Sequence, residues 1–229
     1  GNPAPYTALG VMKGMEASCL KVYGDRSLRG KVVALQGAGS VGRHLGELLV
    51  QAGAKVFVSD INEKNIKLFL ETVPNSEVVA IDAIYGVKCD IYAPCALGAT
   101  VNDKTVEQFK CKIVAGAANN QLAEQRHGDI LRSRGILYVP DYLINAGGLM
   151  NVSIEFEGWS DSKARRMVET IYDTTLEIFR IADRNNTTTY KAADMWAESR
   201  IESIRRIGAR FMGISQHRFP GRKRRHSNG

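Results

Sequence analysis

Residues 31–42 read KVVALQGAGSVG. The first five are apolar or β-branched after the opening lysine, which predicts a buried strand over 31–35. Gly37-Ala38-Gly39-Ser40-Val41-Gly42 follows, a G-x-G-x-x-G run leading into VGRHLGELLVQAG, a helix closed by Gly53. The glycine spacing alone is common; between a strand and a helix it has a physical meaning. Gly37 permits a tight turn, Gly39 lets backbone approach a pyrophosphate, and Gly42 lets the helix pack against the strand. The helix N-terminus then presents free N–H groups and partial positive charge to phosphate. The next strand, KVFVSD over 55–60, ends on Asp60, 18 residues past Gly42. A carboxylate there can accept from the adenosine ribose hydroxyls and would repel a 2′-phosphate. No arginine follows it closely; Ile61, Asn62 and Glu63 come next. The expected cofactor is NAD rather than NADP, the alternative being another nucleotide-like ligand, such as FAD or an S-adenosyl group, on the same loop.

Working outward, helix and strand patterns alternate. A leading helix is expected over 5–23, ended by Gly24. After Asp60 come a helix at 61–71, strands at 78–81 and 89–94, and a helix at 105–110. A strand at 112–118, a helix at 121–134 and a strand at 136–140 complete the series. The strands are nearly all apolar, as strands covered on both faces are. The predicted fold class is therefore α/β: a doubly wound parallel-sheet Rossmann-type domain with added C-terminal helices. Strand signals stop after Asp141, and two long amphipathic helices are expected at 161–184 and 187–213, with Thr187, Thr188 and Thr189 as candidate caps. This gives a leading helix in 1–28, a nucleotide-binding domain in 29–158, C-terminal helices in 159–215 and a basic, disordered tail in 216–229.

The bulk numbers suit such a domain. The chain has 229 residues, 44% apolar and 24% charged, with no apolar run of membrane-spanning length and no signal-peptide pattern at GNPAPYTALG. The net charge is +7, of which Arg222, Lys223, Arg224 and Arg225 carry four. With few aromatic residues among those charges, nothing resembles a base-stacking platform, so neither nucleic acid nor membrane is expected as a partner. Cys19, Cys89, Cys95 and Cys111 form no C-x-x-C pair and no zinc spacing, which points to reduced thiols, a cytoplasmic protein and no metal.

Three loops at expected strand ends carry further candidates. Pro94-Cys95-Ala96-Leu97-Gly98 follows the fourth strand, Asn119-Asn120 the fifth, and Asn145-Ala146-Gly147-Gly148 the sixth. Asn119 suits a ribose or carboxamide, although an Asn pair is equally good turn chemistry. Asn145 is either a helix cap or a ligand contact. Gly147 and Gly148 lower helix propensity, and close approach of a flat ring would account for them.

Taken together, KVVALQGAGSVG, CDIYAPCALGATVND, AGAANNQLAEQRHGDIL and VPDYLINAGGLMNV resemble the C-terminal NAD-binding domain of leucine dehydrogenases, within the Glu/Leu/Phe/Val amino-acid dehydrogenase superfamily. The resemblance runs from about residue 3 to about residue 207 and implies NAD-dependent oxidative deamination of an L-amino acid to its 2-oxo acid and ammonium. It implies that Gly37, Ala38, Gly39, Ser40, Val41, Gly42 and Arg43 form the pyrophosphate loop and that Asp60 holds the adenosine ribose. Cys95 and Ala96 would lie beside the adenosine half, Asn119 at the nicotinamide ribose, and Asn145 and Thr7 near the carboxamide. Leu149 and Val152 would line the substrate side-chain pocket, which argues for a branched-chain substrate; simple core packing is the plainer reading of both. The family's catalytic lysine and its proton-shuttling acid belong to a preceding domain. Neither Lys13 nor Lys31 sits in a glycine-rich lysine motif, so no catalytic residue is expected within this chain, which alone should be inactive. Assembly as a homo-oligomer is expected, and the alternative is a non-catalytic NAD-binding module or regulatory partner chain.

Overall fold

The computed structural model describes residues 2–96, 98–155 and 160–215; the side chains of 154, 155, 204 and 206–215 are outside that set. Leu97, Trp159 and the expected basic tail at 216–229 therefore lie outside the described residues. The chain divides into two units, Gly1–Ala193 and Asp194–Gly229, so the first contains both the nucleotide-binding region and the first long C-terminal helix.

Six strands form one parallel sheet: β1 (Val32–Gln36), β2 (Lys55–Ser59), β3 (Glu77–Val78), β4 (Ile91–Pro94), β5 (Ile113–Val114) and β6 (Leu137–Tyr138). Their order is β3-β2-β1-β4-β5-β6, with β1 paired in parallel to both β2 and β4. The doubly wound expectation is met: the chain winds outward from β1 in one direction, returns to β4, and winds outward in the other. The crevice for a ligand in such a sheet opens beyond the carboxyl ends of β1 and β4.

Alternation along the strands explains the two covered faces. Val33 and Leu35 of β1 enter one core with Val56 and Val58 of β2, Ile91 and Ala93 of β4 and Ile113 of β5. Ala34, Tyr92 and Val114 enter the other, with Phe109, Leu131 and Tyr138. The first core is closed by α1 (Ala4–Tyr23), α2 (Ser40–Gln51) and α8 (Asp161–Arg184), whose buried residues Val11, Met15, Leu45, Leu49, Val168 and Ile171 belong to it. α1 ends at Gly24 with φ 76°, the left-handed cap its sequence predicts.

Several expected elements are shorter, for local reasons. The strand expected at 112–118 keeps only Ile113–Val114. The segment still bonds to β4, with the Ala115 N–H donating to the Tyr92 carbonyl at 3.0 Å and the Ala118 N–H to the Pro94 carbonyl at 2.9 Å, but Pro94 has no N–H to return and the regular ladder lapses at Gly116, where a Cβ would stand 2.2 Å from the Pro94 carbonyl oxygen. β3 keeps two residues, because Ala80 and Ile81 enter turns leading to a 3-10 segment at Ile84–Gly86. The helix expected at 121–134 is α5 (Arg126–Ser133). Gln121 is fully buried, and its Nε2 donates to the carbonyls of Gly116 and Ala118 at 2.7 and 3.0 Å, which holds that segment in a knot instead of a helix. The helix expected at 105–110 is α4 (Asp103–Val106), started early by a capping box between Asn102 and Thr105. Asn62 similarly caps α3 (Glu63–Thr72) by accepting from the Lys64 N–H at 2.9 Å.

Beyond β6 come α6 (Asp141–Ile144), α7 (Gly147–Glu155), α8 and α9 (Thr189–Ser215). Over its described residues the second unit is the continuation of α9, where Ser203 donates its hydroxyl to the Ser199 carbonyl at 2.8 Å.

Candidate functional site

The glycine loop lies at the carboxyl end of β1. Gly37 has φ +107°, and a Cβ there would meet the Ala96 N at 2.7 Å and the Cys95 C at 2.8 Å. That single absence of a side chain brings the β1 loop against the β4 loop, so Cys95 and Ala96 stand beside the glycines. At Gly42 a Cβ would lie 2.0 Å from the Gly37 carbonyl oxygen, which is the close packing of helix on turn that the spacing predicts. Gly39 differs: an added Cβ there meets nothing within 4 Å. Its bareness serves space outside the fold, as expected where backbone must admit a ligand. The first intrahelical bond of α2 runs from the Arg43 N–H to the Gly39 carbonyl at 2.9 Å, and no side chain caps this end. The N–H groups of Ser40, Val41 and Gly42 therefore head a twelve-residue helix with no partner inside it, suited to an anionic group.

Asp60 stands at the end of β2 across from this loop. Its Oδ2 accepts from the Ala38 N–H at 2.7 Å and its Oδ1 from the Asn62 N–H at 2.7 Å. Gln36, Gly37, Ser59, Asp60, Ile81 and Ala96 border an open cleft at this corner. The apolar Ile81 and Ala96 with one carboxylate at the lip form a surface fit for a flat base and its sugar diol.

The second group of candidates gathers across the crevice. Asn145, which ends α6, donates from Nδ2 to the Asn119 Oδ1 at 2.7 Å and to the Ala117 carbonyl at 3.4 Å. Asn119 is exposed, and Asn120 beside it takes φ +52°. The fold beneath is fastened by Asp141, 8% exposed, whose Oδ2 accepts from the Gln121 N–H at 3.1 Å. Gln121 and Asp141 passed unremarked in the sequence because a buried Gln and a helix-opening Asp carry no signal of their own. Thr7 adjoins the same turn. A Cβ at Gly148 would stand 2.5 Å from the Thr7 Oγ1, and one at Gly147 would stand 2.1 Å from the Tyr6 carbonyl oxygen. The backbone and side chain of α1 thus stand where a Cβ of either glycine would be, which accounts for both. Leu149 on α7 is 74% exposed, which removes core packing as its explanation. Val152, one turn on, is half-buried.

The remaining candidates are structural. Lys13 pairs with Glu16 at 3.1 Å on α1, and Lys31 lies over the Tyr23 ring at the opening end of β1, away from the crevice. His127 is 1% exposed; its Nδ1 accepts from the Glu124 N–H at 3.0 Å, leaving Nε2 to donate to the Asp103 Oδ1 at 3.1 Å. Asp103 also binds both guanidinium nitrogens of Arg126 at 2.7 Å, and these bonds, Arg126 first, lower its pKa to about 2. All four cysteines carry free thiols, and burial raises that of Cys19 to about 11. Among the described residues no group of three or more His, Cys, Asp or Glu stands ready for a metal, and no helix is long and apolar enough to cross a membrane.

Residues 58–208 match the family model for Glutamate/Leucine/Phenylalanine/Valine dehydrogenase. The chain belongs to this family. Among its members, a leucine dehydrogenase of Thermoactinomyces intermedius is 50% identical over 212 residues, covering 93% of this chain and 58% of the relative. One from Geobacillus stearothermophilus is 47% identical over 225 residues, 98% of this chain and 61% of the relative. A solved L-tryptophan dehydrogenase from Nostoc punctiforme superposes with a TM-score of 0.86 at 43% identity, over 90% of this chain and 63% of that one. This dehydrogenase-family chain therefore spans about three fifths of the length of the relatives it matches.

Proposed function

We propose that this chain is the NAD-binding part of an amino-acid dehydrogenase that deaminates L-leucine, or a close branched-chain analogue, to the 2-oxo acid and ammonium. The observation that carries the reading is the pairing of an open glycine loop and unpartnered helix N-terminus with a carboxylate, Asp60, at the ribose end of the cleft. The relatives' names supply the reaction and the amino acid.

The residues present fit the cofactor. The Ser40, Val41 and Gly42 N–H groups would bind the pyrophosphate, and Gly39 would leave room for it. Asp60 would accept from the adenosine ribose and exclude a 2′-phosphate, which favours NAD over NADP. Ala96 would flank the adenosine, with Cys95 behind it. Asn119, held by Asn145, would receive the nicotinamide ribose, with Thr7 and Asn145 at the carboxamide. When bound, the nicotinamide takes up the hydride released from the substrate α-carbon. Leu149 and Val152 offer an apolar wall to the substrate side chain, which suits leucine and would not satisfy a charged one. The lysine and acid that handle the substrate carbonyl, water and protons are read as belonging to the part of the relatives' length outside these residues. The four free thiols fit a cytoplasmic enzyme, and the exposed Tyr142 fits a surface covered in a homo-oligomer.

Calorimetric titration of the chain with NADH and NADPH, with L-leucine oxidation assayed in parallel, tests the reading. NADH binding at least about tenfold tighter than NADPH, a gap of about 1.4 kcal/mol, without leucine turnover by the chain alone, is the expected result. NADPH preference would overturn the role given to Asp60. Leucine turnover would overturn the assignment of the lysine to another part of the protein.

A further inference from the structure

We propose that Asn65 is a positioning residue for the adenosine ribose: it holds the Asp60 carboxylate so that one lone pair faces the cleft. The inference rests on the reading above, in which Asp60 receives that ribose.

Asn65 is the third residue of α3, where the side chain ordinarily reaches back to the backbone N–H of the capping residue. Here its Nδ2 reaches past the cap, Asn62, and donates to the Asp60 Oδ2 at 3.2 Å. Asp60 then makes three bonds, with the Ala38 and Asn62 backbones and with the Asn65 side chain. A carboxylate offers about four lone-pair sites, two on each oxygen. Oδ2 is filled by Ala38 and Asn65, and Oδ1 keeps one site beside the Asn62 bond. The two backbone bonds engage one lone pair on each oxygen, and the Asn65 amide takes the second on Oδ2. The Asn65 amide is the only side-chain donor among them, and it comes from the helix flank, so it fixes the plane of the group. Asn65 is half-buried, one turn ahead of Phe69, which is fully buried. A neutral donor is required: a carboxylate at 65 would repel Asp60, and an apolar side chain would leave Oδ2 half-satisfied.

The test compares NADH with its counterpart carrying 2′,3′-dideoxyadenosine, titrated calorimetrically into the unaltered chain and into Asn65→Leu. The unaltered chain is expected to favour NADH by about tenfold or more, the scale of a charge-assisted hydrogen bond. Asn65→Leu should lower NADH affinity about fivefold while the dideoxy compound stays within about twofold, because the lost effect acts through the ribose hydroxyls. Retained dideoxy binding also reports that the variant is folded; should Asn65→Leu not fold, Asn65→Ala takes its place. If the unaltered chain binds both compounds equally, the role given to Asp60 fails. If it discriminates and the variant discriminates just as well, or loses both compounds equally, Asn65 is not a positioning residue and this inference alone is overturned.

Discussion

Asn145 donates to Asn119 at 2.7 Å, and this bond ties the last residue after α6 to the exposed loop that follows β5. The two residues lie 26 apart in sequence, and each had an innocent explanation there as turn or cap. Their bond orients the Asn119 amide: with Oδ1 engaged by Asn145, the Asn119 N–H₂ is left to donate outward. A nicotinamide ribose presents oxygen acceptors, which that orientation suits. Asn145→Ala should therefore lower NADH affinity about five- to tenfold through loss of this orientation. The melting temperature should fall by no more than about 2–4 °C, the shift expected for roughly 1 kcal/mol in a chain of this size. A large melting shift with unchanged affinity would make the bond purely structural.

The glycine loop separates two kinds of glycine. Gly42→Ala puts a methyl 2.0 Å from a backbone oxygen that has nowhere to move. Overpacking of that kind should cost about 3 kcal/mol or more and lower the melting temperature by about 6–12 °C. Gly39→Ala meets no protein atom within 4 Å and should melt within about 2 °C of the unaltered chain, at the scale of a surface change. Its NADH affinity should nevertheless fall at least about tenfold, since the methyl would occupy the phosphate's approach. Thermal scans with calorimetry on both variants decide the matter; an unimpaired Gly39→Ala would remove the pyrophosphate from this loop.

How much of this was legible beforehand depends on whether the signal was local. The β1–glycine–α2 unit and Asp60 were readable because strand, turn and helix patterns sit side by side and one carboxylate ends the next strand. The doubly wound class follows from alternating elements and right-handed crossovers; the particular order β3-β2-β1-β4-β5-β6 does not, since those rules admit other doubly wound orders. The short β5 was not readable: its ladder lapses where Pro94, which has no N–H, meets the Gly116 backbone, 22 residues apart in sequence. Nor was the knot at Gln121, whose partners are backbone carbonyls with no identity in the sequence. Gly147 and Gly148 were rightly noticed as odd in a helix, yet the reason lay in α1, more than a hundred residues earlier.

That α1–α7 contact yields its own prediction. A Cβ at Gly147 would lie 2.1 Å from the Tyr6 carbonyl oxygen, and one at Gly10 would lie 2.6 Å from the Ile144 carbonyl oxygen. Either alanine must push α1 away from the α6–α7 turn. Each should destabilise the chain by about 1–3 kcal/mol. Gly147→Ala should also weaken NADH binding, because Thr7 and Asn145 move with the helices they belong to, whereas Gly10→Ala acts a turn further from Thr7 and should do so less. Equal effects of the two on affinity would show that the helices shift as one body.

Asp103 offers a stability switch far from the cofactor. Arg126 and then His127 hold its pKa down, from an ordinary 3.8 to about 2. A carboxylate depressed in the folded state contributes stability that is complete above its unfolded pKa and lost as pH falls through the folded one. The contribution of Asp103 should thus be whole above about pH 5, shrink below about pH 4 and vanish near pH 2. Asp103→Asn keeps an oxygen for Arg126 but removes the charge, so the unaltered chain should melt higher than the variant at pH 6 and the gap should close on acidification. Asp103 is 64% exposed, so the gap should also narrow in about 0.5 M salt, where screening acts over a few ångströms. His127 is buried with its Nδ1 engaged by a backbone N–H, so removing it should act differently. His127→Ala empties a buried site whatever the pH, and the penalty of that cavity should persist where the effect of Asp103→Asn has gone. Melting curves of the three proteins between about pH 2 and about pH 6, a range that brackets the two carboxylate values, separate these contributions; parallel loss in both variants would mean that Asp103 acts only through His127.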